Sequence, residues 1–149
     1  MDEIMTLFIR HLAGQTELTN CLGSSPFKVF PGTVPAKVSG EEIKAPWVTV
    51  ERSGWSQEMT FSGPTGDYTC PTTIIVVAPT YKEAARIFEE IHTVVHGKHN
   101  VTWADRLRVQ ECTMGESRQV PLMEADGSLS TLQQLVGEML LFCDIVPAG

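Results

Sequence analysis

The sequence predicts an α+β fold: a mixed, mainly antiparallel sheet of about four to five strands, two helices packed on one face, and a long β-hairpin protruding from it. Three observations point there. A capped, strongly amphipathic helix occupies 80–97, two β-rich runs at 46–55 and 69–78 flank a turn-rich stretch, and two more β-rich runs close the chain. A chain of 149 residues carries enough sequence for one core, so 1–149 is expected to be a single domain.

The elements follow in chain order. Ile4, Leu7, Phe8 and Leu12 recur at helical spacing, with Asp2 placed to cap the start and Gly14 to end a helix over 2–13. Residues 15–45 are rich in Gly, Pro, Ser and Thr, which predicts an irregular arm with one short strand at Phe27–Phe30, just before the turn signal Pro31-Gly32. The run PWVTVERSGW at 46–55 is rich in β-branched and aromatic residues and reads as a strand; TCPTTIIVVA at 69–78 reads as a stronger one. Pro71 cannot donate to a ladder, so that strand is expected to begin after it or to run along an edge. Between the two, Gly63-Pro64-Thr65-Gly66 fits a type I turn and predicts a long, partly apolar hairpin tip.

Thr80-Tyr-Lys-Glu83 is a capping box, and the helix it opens carries Tyr81, Ala84, Phe88, Ile91 and Val95 on one stripe, turns Glu89 and Glu90 to water, and stops at Gly97. Leu107–Met114 reads as a strand. So does Leu135–Val146, where Phe142-Cys-Asp-Ile-Val favours strand over the helix that 132–141 alone would allow. Residues 115–131, with Asp126-Gly127 inside, read as a long connection or an extended hairpin.

Composition narrows the function. Eleven Lys and Arg stand against 18 Asp and Glu, giving a net charge of −7, and the basic residues form no run. Tight nucleic-acid binding needs a basic patch, whereas an acidic wall lets DNA slide past without sticking. No apolar run reaches the roughly 18 residues of a membrane span, and the start MDEIMTLF is acidic where a signal peptide is basic, so no membrane partner is expected and the protein is expected to stay in the cell that makes it. Cys21, Cys70, Cys112 and Cys143 are widely spaced and form no C-x-x-C pair, so buried free thiols are expected rather than a zinc or redox site. Asn100-Val101-Thr102 matches the glycosylation triplet, a match expected to be accidental because no secretory route is expected.

Two constellations invite a catalytic reading. His92, His96 and His99 suggest a metal-dependent hydrolase, because positions four apart share a helix face; but no H-E-x-x-H is present, His99 lies beyond the helix stop, and histidines near a helix C-terminus have an electrostatic reason to be there. Asp105, Glu111 and Glu116 suggest carboxylates around a divalent ion, yet Glu111 alternates with apolar neighbours and is expected on the solvent face of its strand. No nucleophile elbow or phosphate-cradling loop appears, so no catalytic residue, metal site or cofactor is expected. What remains suits protein contact: Trp55, Met59, Phe61, Pro64 and Asp67 lie in or beside the hairpin tip, and aromatic and Met side chains are enriched at interfaces. The alternatives are a tip folded over its own sheet, or an adaptor module that stays monomeric.

The stretches VFPGTVP (29–35), APWVTVERSGWSQEMTFSGPTGDYT (45–69) and TIIVVAPTYKEAARIFEEIHTVVHG (73–97) together resemble the tail-completion, or tail-terminator, proteins of long-tailed bacteriophages. The match covers about two thirds of the chain in order; the order rather than any single motif carries it. Thr69-Cys70-Pro71 departs from the family pattern, and 116–131 lies outside the match. The resemblance implies a virion protein of the tail-neck region, assembled in the host cytoplasm. It implies a homo-oligomeric ring, typically a hexamer, that caps the tail tube, ends its polymerisation and offers the joining surface for the head connector (head completion or stopper) protein, while DNA passes through the lumen. Such a ring needs two different patches on one chain that meet head to tail, and the hairpin tip is the natural candidate for one.

Overall fold

The computed structural model of the chain describes residues 3–52, 56–60 and 63–146, with the backbone alone at 56–60 and 63–66. In chain order its elements are α1 (Glu3–Ala13), α2 (Thr16–Leu22), β1 (Val29–Pro31), β2 (Lys37–Val38), β3 (Glu41–Glu42), β4 (Trp47–Arg52), β5 (Ser56–Thr60), β6 (Gly63–Ala78), α3 (Tyr81–Val95), β7 (Lys98–Trp103), β8 (Leu107–Met114), β9 (Arg118–Gln119) and β10 (Gln133–Ile145). The main sheet runs β1-β4-β6-β10-β8-β7, with β5 continuing beside β6 and β9 beside β10. Every pairing is antiparallel except β1 with β4, and β2 and β3 form a separate small ladder. The fold is α+β, as the sequence predicts.

The helices share one face of this sheet. Helix α3 lies on β6, β8 and β10, α1 on β1, β7 and β8, and α2 wedges against both helices. The period of the apolar residues dictates this: Ile4, Leu7, Phe8 and Leu12 of α1 and Ala84, Ile87, Phe88, Ile91 and Val95 of α3 are buried, each set forming one stripe. They meet the inward positions of the strands, including Val48, Val50, Ile74, Val76, Leu135, Met139 and Leu141. Burying a side chain such as Phe8 or Leu12 completely contributes about 1.5–3 kcal/mol.

At the centre of that layer β10 has no side chain at all. A Cβ on Gly137 would come 2.3 Å from the Phe88 ring, so the aromatic ring of α3 lies directly on the β10 backbone. Glycine inside a strand marks such a close approach.

Several expectations are corrected. Residues 15–45 hold α2 and the β2–β3 hairpin in addition to β1. Helix α2 has no side-chain cap and is held by burying Leu18 and Leu22, a tertiary effect that local composition does not reveal. The β2–β3 turn is Ser39-Gly40, both at positive φ (52° and 83°), as a two-residue hairpin loop requires. Strand β7 adds a strand at the sheet edge and β6 is 16 residues long, so the main sheet has eight strands and the helix layer three helices among the described residues. Gly63–Gly66 lie inside β6, not in a turn: Thr60 pairs with Gly63 and Met59 with Pro64, so the reversal precedes Gly63. Pro71 lies within β6 rather than before it. It pairs with Leu140 of β10, and on the other side it falls between the β4 register at Thr72 and the β5 register at Thr69, where the ladder changes partner. Tyr81 is exposed, because it opens the first turn of α3 and the buried stripe begins at Ala84.

Other expectations agree in detail. The Thr80 hydroxyl accepts from the Glu83 amide at 3.2 Å, Gly97 follows α3 at φ 75°, and β8 begins and ends where the alternation placed it. No helix among the described residues is long and apolar enough to cross a membrane.

Replacing Gly137 by Ala is expected to destabilise the protein by about 1–3 kcal/mol, the usual cost of overpacking a core. Urea unfolding should show a lower midpoint with an unchanged slope, and adding Phe88→Leu should recover part of the loss.

Candidate functional site

Strands β4 and β5 run one after the other along β6 and make a hairpin longer than the rest of the sheet. The last recorded pair between β6 and β10 is Tyr68 with Cys143, yet β6 and β5 continue to Gly63 and Thr60. The five rises from Tyr68 to Gly63 carry the arm roughly 17 Å beyond that pair, while β10 itself runs only two residues further, to Ile145. Met59 and Pro64 are paired across this arm. Trp55 and Phe61, two of the five residues expected at the interface, lie outside the described residues.

Asp67, the fifth, stands at the root of the arm rather than its tip. Its Oδ1 accepts from Gln110 Nε2 of β8 at 2.8 Å, reaching across β10. A bulge makes that reach feasible. Phe142 pairs with Glu111 and Cys143 with Val109, which leaves Gln110 as an extra residue, and a bulge re-aims the side chain it carries. In the next strand Asn100, between the registers of His99 and Val101, adopts φ 52°, a conformation Asn tolerates better than most residues. Beside Gln110, Arg108 forks onto Asp144, Nε donating to Oδ1 at 2.9 Å and Nη2 to Oδ2. That hydrogen-bonded carboxylate, with a weaker pull from Asp67, raises the guanidinium pKa further above its already high value. The arm is therefore rooted in a row of polar contacts spanning β6, β10 and β8.

The three histidines do not converge. His92 Nε2 donates to the Met114 carbonyl at 3.0 Å and the Met114 amide donates to His96 Nδ1 at 3.0 Å, their rings stacked with centroids 4.5 Å apart. Together they hold both polar groups of the last β8 residue. His99 stands in β7, its Nδ1 3.3 Å from the Gly97 carbonyl oxygen. Asp105 sits in the turn before β8, Glu111 exposed within it and Glu116 past its end, and the strand between spans roughly 24 Å. Among the described residues no group of three His, Cys, Asp or Glu side chains is placed to hold a metal ion.

The cysteines are free; Cys70, Cys112 and Cys143 are buried and Cys21 is half-buried. Burial pushes the Cys112 thiol up to about 12, and a hydrogen bond with Cys70 together with burial raises Cys143 as well. The same bond lowers the Cys70 thiol, so it is Cys112 and Cys143 whose raised thiols are poor nucleophiles.

Of the two expectations for 115–131, a long connection or an extended hairpin, the structure shows a hairpin turn near its middle. Within 115–131, Met123 and Leu129 bridge each other, Glu124 and Ser128 are joined backbone to backbone at 2.8 Å, and the Asp126 carboxylate accepts from both the amide and the hydroxyl of Ser128. Gly127 closes the turn at φ 88°. Met123 and Leu129 are 54% and 68% exposed. The Asp126-Gly127 pair was the available signal for this turn.

Comparison with known proteins places the fold. No family model and no curated protein matches the sequence. Among solved structures, a chain of the virion of a native gene transfer agent particle superposes with a TM-score of 0.61 at 10% sequence identity, covering 96% of this chain and 93% of that one. At such low identity the likeness is one of fold, and it extends over nearly the whole of both chains.

Where α1 meets β7, the His11 ring stacks on Trp103 with centroids 4.6 Å apart, and Trp103 leans on Phe8 at 5.9 Å. Burial, with a smaller contribution from the Lys98 charge, lowers the His11 pKa. The unfolded chain then binds this proton more readily than the folded one, so stability is intact above the ordinary value near 6.5 and is lost as the pH falls through it toward the folded value. Denaturant midpoints at pH 7.5 and 5.5 should show a decline that His11→Gln reduces.

Proposed function

We propose that this chain is a structural virion protein, a single-domain tail terminator that assembles into a ring on the end of a phage-like tail tube. The observation that supports this most strongly is the near end-to-end likeness to a chain of a gene transfer agent virion. The order of motifs at 29–35, 45–69 and 73–97 agrees with it. In this reading the ring, of six copies, stops tube growth and presents the surface that receives the head connector protein. The β5–β6 arm, through Trp55, Met59, Phe61 and Pro64, reaches a neighbouring subunit or the tube, while the root at Asp67 sets its direction. A strand pair projecting beyond its own core suits this role, because it adds contact area to a partner without disturbing the subunit that bears it.

The charge balance fits the same role. At −7 the subunit repels phosphates, and a ring of such subunits gives DNA a passage to which it does not adhere. No covalent chemistry is assigned to the chain: two of the three histidines hold the end of β8, and three of the four thiols are buried in the core.

Replacing Met59 and Phe61 together by Ala tests the assignment. The melting temperature is expected to stay within about 2 °C of the parent, as for surface changes worth under roughly 0.5 kcal/mol, while joining of heads to tails falls at least tenfold. Joining is scored by counting complete particles after mixing purified heads and tails with the variant. Unfolding of the variant subunit, or joining at the parental level, overturns the assignment of the arm.

A further inference from the structure

Strand β8 outruns the strand beside it. Strand β7 opens at Lys98, paired with Cys112, so Thr113 and Met114 lie beyond its first residue. The Cys112 carbonyl still finds a backbone partner, the Gly97 amide at 2.9 Å. Met114 comes two residues later and therefore turns its N–H and C=O to the same side, past the start of β7. The next amide, that of Gly115, points the other way and donates to the Glu138 carbonyl of β10 at 3.0 Å. Backbone groups in such a position need partners from elsewhere.

The end of α3 supplies them. His92 and His96 stand four apart on one helix face, and His96 is the C-cap of a helix whose last residue is Val95. The Met114 amide donates to His96 Nδ1 at 3.0 Å, and His92 Nε2 donates to the Met114 carbonyl at 3.0 Å. The two imidazoles take the place of a strand residue, one as acceptor and one as donor. These roles fix the protons: a backbone N–H only donates, so His96 Nδ1 presents its lone pair and the ring carries its proton on Nε2, whereas a carbonyl only accepts, so His92 is protonated on Nε2. A second proton on His96 must go to Nδ1, where it meets the Met114 N–H. His92 takes its second proton on Nδ1 and keeps its bond in either state. The rings are stacked with centroids 4.5 Å apart, so charging both sets two positive groups face to face.

The charged groups around the pair come from several elements. On α3, Glu89 precedes His92 by one turn; Lys98 and His99 open β7; Glu111 of β8 lies opposite His99, and Glu116 follows β8. Glu138 of β10 is engaged by Thr73 and Arg118, Glu17 of α2 reaches Arg86 on an earlier turn of α3, and residues 69–78 of β6 carry no charge. Among the described residues none of these side chains bonds either imidazole. The Met114 side chain is buried in the core, so a change at its backbone stays local.

We propose that His92, His96 and Met114 form an acid-released clip between α3 and β8: proton uptake by His96 ejects the Met114 amide, while the His92 bond and the buried Met114 side chain keep the strand in place. The release loosens the root of 115–131 and leaves the helix and sheet layers packed. This goes beyond the ring reading and does not depend on it.

Amide hydrogen exchange followed by NMR tests the clip, each rate being compared with that of an unstructured chain at the same pH. Between about pH 7.5 and pH 5.5, which bracket ordinary imidazole titration, protection of the Met114 amide is expected to fall at least about tenfold more than that of the Leu141 amide in the core. In His96→Asn the side-chain oxygen can accept from Met114 at either pH, and the extra fall is expected to disappear. In His96→Ala protection of Met114 is expected to be low throughout. Met114 tracking Leu141 in the parent protein overturns the proposal. So does an undiminished extra fall in His96→Asn, or a His96 ring found at pH 7.5 with its proton on Nδ1.

Discussion

A single missing side chain governs how the layers of this protein meet. Phe88 of α3 rests on the backbone of Gly137, and any Cβ there would overlap the ring. Because α3 sits this close, Ile87, Ile91 and Val95 along the same stripe are sealed from water together with the inward residues of β6, β8 and β10. Strand β10 pairs with β6 along one side and with β8 and β9 along the other, so the contact lies on the strand that organises the sheet. Close-packed interiors transmit small displacements, and a shift of α3 would be felt at every strand it touches.

With the core fixed in this way, the extra length of β5 and β6 is free to leave it. The arm extends β6 beyond its Tyr68–Cys143 pair with β10, and the row Asp67, Gln110, Arg108 and Asp144 ties its root to strands inside the fold. The bulge at Gln110 and the positive φ of Asn100 interrupt the regular ladder at the same level, the kind of irregularity that recurs where a side chain must be re-aimed. Beyond β9 stands the Met123–Leu129 turn. The projecting features thus occur where the sheet ends, which is where a subunit can reach others without loosening its own interior.

What the sequence revealed follows from how local each signal is. The capping box at Thr80, the stripe of α3 and the alternation of β8 are encoded within a few residues of where they act, and the structure reproduces them. The β4–β6 hairpin was legible as two strands around a turn-rich stretch, but its reversal was not. Gly63-Pro64-Thr65-Gly66 satisfies a turn rule, yet cross-strand pairing with β5 carries it into β6. Helix α2 was hidden because its seven residues lack a cap and owe their shape to the burial of Leu18 and Leu22. The Asp126-Gly127 turn was visible as a dipeptide inside a possible extended hairpin, whereas Ser39-Gly40 lay undistinguished within the stretch 15–45 because its hairpin depends on the pairing of Lys37–Val38 with Glu41–Glu42. Of the candidate site, the protruding arm could be read directly. The Gln110 contact to Asp67 depends on a bulge, and the two-sided grip of His92 and His96 on Met114 depends on the meeting of α3 with β8, so neither is written in spacing alone.

Self-association at the sheet edges and the projecting arm is the proposed mode of action of this protein. Mass measurement and electron microscopy of the purified protein, from low micromolar to near-millimolar concentration and again in the presence of tail tubes, address this most directly. Closed rings of six subunits, in solution at the upper end or on the tube ends, are the predicted result. A monodisperse monomer under every condition, with tube ends left bare, would contradict it.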